Sequence, residues 1–144
     1  MAGSPSIGAV FGAVLVIGTL SAMAMAAFDS AVQELELDGK VVTFTESEFG
    51  RTCQPSTGAG SDHAWGSHQL VMGSALKSAD VYGTFPSLAL GGPDDVTGRG
   101  VWLPTSSLDQ YAATIAAWFG VPEASLPTVF PNLANFSRRT LGFV

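Results

Sequence analysis

Both histidines of the chain, His63 and His68, lie close together in the run Ser61-Asp62-His63-Ala64-Trp65-Gly66-Ser67-His68, with Asp62 directly beside the first. Aspartate and histidine bind divalent metals such as zinc through carboxylate oxygen and imidazole nitrogen, and a catalytic site leaves one coordination position open for water or substrate. Adjacent residues on an irregular loop can converge on one ion, whereas adjacent residues of an extended strand point to opposite faces. Gly58, Gly60 and Gly66 supply the backbone freedom that convergence needs. Asp62, His63 and His68 are therefore a candidate ligand set. The competing reading is a loop-capping aspartate beside two solvent-exposed histidines.

Other residues near this cluster carry chemistry of their own. Glu46 and Glu48 occupy alternate positions, so an extended backbone puts them on one face, and one of them can complete a metal site. A solvated strand end is the plainer alternative. Arg51 precedes the Gly-rich segment, where its guanidinium can hold an anionic group through two parallel hydrogen bonds or form a surface ion pair with Glu48. Trp65, between the histidines, is either a pocket wall or, as is commoner for tryptophan, part of the core. Cys53 has no histidine or lysine near it in sequence to lower its pKa, which favours a solvated spectator over a reactive thiol.

The elements that must position these residues follow from composition and pattern. A chain of 144 residues makes one domain or a large piece of one. It is 47% hydrophobic and only 12% charged, which excludes a disordered chain and suggests that some surface is normally covered. Six Lys and Arg against twelve Asp and Glu give a net charge of −6, which argues against nucleic acid as a partner. A single cysteine makes no internal disulfide.

From Ile7 to Phe28 there is no charged residue, a run long enough to cross a bilayer. Three readings stand side by side: a buried helix of an α/β layer, a membrane segment, and a cleaved signal weakened by the absence of Lys or Arg in Met1 to Ser6. Phe28, Val32 and Leu35 then recur at helical spacing opposite Asp29, Gln33, Glu34 and Glu36, predicting a helix to about Leu37. Asp38-Gly39 suits a turn, and Lys40 to Thr45 reads as a buried strand. Gln69 to Met72 is compatible with another brief strand, and a hairpin ending at Val101-Trp102-Leu103 closes a turn-rich stretch. Ser107 with Gln110 fits a capping box; Tyr111, Ile115, Trp118 and Phe119 form an apolar helix face, and Gly120 is suited to the C-cap. The tail from Leu126 to Val144 reads as ordered loop with short turns.

An ordered set of motifs carries a resemblance over about Leu20 to the end. Val42 to Thr52 (VTFTESEFGRT), the Gly-rich gap, Ser61 to His68, Val71-Met72-Gly73, Tyr82 to Pro86, Leu103-Pro104-Thr105 and Phe130 to Leu133 look like the C-terminal part of a bacterial sulfatase-like family, domain of unknown function 1501, of the alkaline-phosphatase-like superfamily. The resemblance implies an α/β/α sandwich and a metal-assisted hydrolase ancestry toward phosphate or sulfate esters. It also implies metal ligation by Asp62, His63 and His68, with Glu48 near the centre, the metal being zinc, or alternatively calcium or manganese. A metal there would polarise the ester oxygen, and Arg51 would hold the anion.

Superfamily members also draw a carboxylate and a nucleophile from an N-terminal strand end, and nothing before Thr43 looks like that segment. The expectation is thus a partial α/β/α sandwich truncated on its N-terminal side, with residues 1–19 an apolar segment of separate status and residues 20–144 the sulfatase-like part. Such a chain keeps a metal-binding half-site, with a small anionic ester or no substrate. The exported location that the family suggests lacks its twin-arginine signal here. The alternative is a non-enzymatic module, anchored to a membrane through residues 7–28 or bound to a partner chain or a second copy that covers the exposed sheet edge.

Overall fold

A computed structural model of the chain describes residues 7–58 and 60–144, with side chains from residue 20 onward. The chain is mixed α/β: helix α1 (Ile7–Glu34), a two-stranded sheet of β1 (Thr43–Phe44) and β2 (Val71–Met72), helix α2 (Leu108–Phe119) and a short helix α3 (Leu126–Val129) between two 3₁₀ turns.

Helix α1 ends three residues short of the expected boundary, where Glu36 takes a positive φ of 54° and Leu37 N–H donates back to the Val32 carbonyl at 3.0 Å. Of the apolar positions spaced to form its buried face, only Val32 is buried, while Phe28 and Leu35 are exposed. The buried-helix reading therefore fails for the described part, Leu20 to Glu34, because among the described residues no second layer covers more than Val32. Among the described residues no helix is long and apolar enough to cross a membrane; the run up to Thr19 lies outside the residues whose side chains are described.

The turn at Asp38-Gly39 forms as expected, with Gly39 at φ 73° and its N–H donating to Ser74 Oγ at 2.6 Å. The strand that follows is much shorter than the six residues expected. Only Thr43 and Phe44 pair, antiparallel, with Met72 and Val71, and Phe44 is exposed. Pairing continues more loosely on either side: Thr45 N–H donates to the Leu70 carbonyl at 2.9 Å, and Thr45 Oγ1 donates to Gln69 Oε1 at 2.8 Å.

The best-packed region is C-terminal. Ser107 caps α2 through the Asp109 N–H, Gln110 Oε1 accepts from the Ser107 N–H at 3.1 Å, and Gly120 closes the helix in the left-handed region. The buried face of α2 comprises Gln110, Tyr111, Ala113 and Thr114, rotated from the face that its largest apolar residues suggest. Phe119 is 81% exposed. The inward positions are small or polar because the space is already filled by Leu126 and Leu133, both fully buried, with Val121 and Phe130 packed around them. Burying each leucine contributes about 1.5–3 kcal/mol. The buried polar groups are satisfied: Gln110 Nε2 donates to the Arg138 carbonyl at 2.6 Å, and Leu141 N–H donates to Thr114 Oγ1 at 2.7 Å. These bonds draw the tail across α2.

Candidate functional site

The histidine run forms one arm of an antiparallel pairing rather than a free loop. Arg51 and His63 are bridge partners; Gly50 N–H donates to the Trp65 carbonyl at 3.1 Å, and Ala64 N–H donates to the Gly50 carbonyl at 2.8 Å. Thr52 N–H donates to the Asp62 carbonyl at 3.1 Å, and Asp62 N–H donates to Thr52 Oγ1 at 3.1 Å. Gly50 and Gly66 make this arrangement fit. A methyl on Gly50 would overlap the Gly66 carbonyl oxygen, and one on Gly66 would lie 2.8 Å from the Trp102 carbonyl oxygen. Three backbone segments thus stack at distances only glycine allows.

This pairing sends the candidate ligands to different surroundings. Extended neighbours point to opposite faces, so Asp62 and His63 diverge. Asp62 Oδ2 forms a 2.7 Å ion pair with Arg99, both side chains being more than a third exposed. The His63 ring stacks on Phe49 at 4.0 Å between centroids, and the His68 ring stacks on Phe85 at 4.7 Å. Arg51 also takes a partner other than the expected Glu48: its guanidinium lies 5.1 Å from the Phe49 ring centre, and Nη1 donates to the Ser61 carbonyl at 3.1 Å. Among the described residues no three of His, Cys, Asp or Glu come together in a group that could hold a metal ion. In this arrangement Asp62, His63, His68 and Glu48 do not fit a shared metal. Cys53 is exposed, as its polar setting suggests.

Part of the cluster instead lines an open trough of about 630 Å³. Its lining includes Glu48, Trp65, Gln69, Asp80 and Tyr82 and the stacked pair of His68 and Phe85, with the buried Tyr111 and Phe143 at its floor. Trp65 is 62% exposed, a wall and not core. The trough's carboxylates are Glu48 and Asp80, and among the described residues neither arginine nor lysine lines it. An anionic ester would meet like charge here, with no cation to offset it.

The floor is held by Tyr111, whose hydroxyl donates to the Thr45 carbonyl at 3.0 Å and so ties α2 to the strand hairpin. Burial, aided by the negative charge of Glu46, pushes its pKa up to about 12. The loop that leads into the trough-lining Trp102 and Leu103 is organised by Asp95, which sequence reasoning passed over as one acid in a turn-rich stretch. Its carboxylate accepts from five backbone N–H groups, those of Gly91, Thr97, Gly98, Gly100 and Val101, at 2.9–3.2 Å. Desolvation raises its pKa, but the N–H donors of Gly91, Gly100, Thr97 and Val101 outweigh that and hold it at about 2. The signal available beforehand was an aspartate followed by Gly98-Arg99-Gly100, a spacing that folds a loop back onto one acceptor. This loop forms the expected hairpin: Asp95 bridges Trp102, Leu103 N–H donates to the Asp94 carbonyl at 2.9 Å, and Gly66 N–H donates to the Trp102 carbonyl at 3.1 Å.

Fold and site together define a mixed α/β module that presents an open, aromatic, carboxylate-bearing trough. Residues 19–98, more than half of the chain, match the family described as protein of unknown function (DUF1501), and the chain belongs to that family. No curated protein and no solved structure matches it.

Proposed function

We propose that this chain acts as a non-enzymatic binding module that associates with a second copy of itself through apolar surface its own fold leaves open. The observation that carries this reading is the distribution of large apolar side chains. Leu20, Met23 and Phe28 on α1, Leu88 and Leu90 in the connecting segment, and Phe119 at the end of α2 are all exposed. On α1 the exposed Leu20, Met23, Ala24, Ala27 and Phe28 recur at helical spacing and share one face, and uncovered apolar surface of that kind marks an interaction site. A second copy fits the charge pattern, because the stretch from Leu20 to Phe28 has no charge to bury and opposite copies can pack there without stranding an ion. Both strands of the two-stranded sheet also keep an unpaired edge among the described residues. Light scattering on the purified chain tests this. A mass above 14.8 kDa that rises with concentration is expected, and Phe28→Ser and Met23→Ser should lower it.

A second reading rests on family membership and on the motif resemblance: a partial α/β/α sandwich of alkaline-phosphatase-like type, with Asp62, His63, His68 and Glu48 as a metal half-site for zinc, calcium or manganese. Arg51 would bind a small phosphate or sulfate ester there. The separate partners of Asp62, His63 and His68 count against it in the present arrangement. Elemental analysis of the purified chain decides: stoichiometric metal lost in both Asp62→Ala and His63→Ala would establish the half-site, and metal-free chain after reconstitution would remove it.

A further inference from the structure

We propose that the trough is a binding site for an uncharged saccharide, with Trp65 and Phe85 as the stacking platforms and Glu48, His68 and Gln69 as hydrogen-bonding partners. The site uses a different surface from the association proposed above and stands independently of it.

Three observations converge on this ligand. Large aromatic rings are costly to leave in water, yet Trp65 is 62% exposed, and Phe85 remains 55% exposed although His68 already stacks on it. Aromatic faces carry negative quadrupole density, which attracts the weakly positive C–H face of a sugar ring without requiring a charge on the ligand. The trough is also open, and its volume of about 630 Å³ lies in the range of small-ligand sites.

The polar groups of the trough narrow the chemistry further. Among the described residues, the Glu48 carboxylate, the Ser67 hydroxyl, the His68 ring nitrogens and Gln69 Nε2 have no hydrogen-bond partner, while Gln69 Oε1 is taken by Thr45. A carboxylate only accepts, and an amide N–H₂ only donates, so the ligand must offer donors and acceptors side by side. Hydroxyl groups on a sugar ring do both. A proline-rich peptide, the other usual occupant of an aromatic groove, offers chiefly carbonyl acceptors and leaves Glu48 unmatched. Phosphate or sulfate esters are disfavoured by Glu48 and Asp80 with no facing cation.

Titration calorimetry of the full chain with cellohexaose and maltohexaose, and with dextran sulfate as the anionic probe, tests the proposal. At least one neutral hexaose is expected to bind, and Trp65→Ala and Phe85→Ala should each weaken it about tenfold. Val129→Ala, at 55% about as exposed as Phe85 but outside the trough and the association surface, should leave affinity unchanged. Circular dichroism of each variant confirms folding, and Trp65→Phe should restore most of the binding because it returns a ring to the site. No binding of either neutral hexaose at millimolar concentration overturns the proposal. So does binding indifferent to both alanine variants, or tighter binding of dextran sulfate that the same variants weaken.

Discussion

Asp95 and Tyr111 act as organising residues through what they hold, not through reactivity. Five N–H donors on one carboxylate fix the loop that leads into the trough-lining Trp102 and Leu103, and a carboxyl held at about 2 has a definite pH signature. Its folded pKa lies below the unfolded value, so its contribution is present above about pH 4 and is lost as pH falls toward 2. Exchange protection of the Gly100 and Val101 amides should therefore collapse over that window, and Asp95→Asn should show weak protection at every pH. Tyr111 has the opposite sign. Its raised pKa means stability present below about pH 10 and lost as pH rises toward 12, which tyrosinate absorbance during alkaline unfolding will follow. Tyr111→Phe keeps the ring against Phe44 and Phe143 but removes the bond to Thr45, and should cost about 1 kcal/mol in chemical denaturation.

Among the elements, the C-terminal helices carry stability and the strand hairpin carries geometry. Leu126→Ala empties a fully buried position and should cost about 2–5 kcal/mol, whereas Ser107→Ala loses one capping bond and about 1 kcal/mol. Gly50→Ala should prevent the hairpin from closing on Gly66 and unfold the histidine arm, which loss of the His63–Phe49 ring contact in proton spectra would report. The capping box of Ser107 and Gln110, the Gly120 stop and the Asp38-Gly39 turn were legible in the sequence because local backbone chemistry decides them. The buried face of α1, the length of β1 and the burial of Trp65 were not, because each depends on whether another layer covers it. The pairing of Arg51 with His63 was also hidden: it rests on glycine contacts between segments distant in sequence, and it is what separates Asp62 from His63.

For the whole molecule, sparse charge and a high apolar fraction already implied surface in need of cover, and the fold leaves large apolar side chains exposed on α1 and at the end of α2. Family membership names a domain of unknown function and no chemistry, Asp62, His63 and His68 are each engaged separately, and among the described residues the trough carries carboxylates without arginine or lysine. On these grounds we propose association and ligand binding ahead of ester hydrolysis. The most direct test of the central claim is sedimentation equilibrium of the purified chain over a hundredfold range of concentration. A reversible assembly of two copies, weakened by Phe28→Ser, is the predicted result. A single species of 14.8 kDa at every concentration would contradict it.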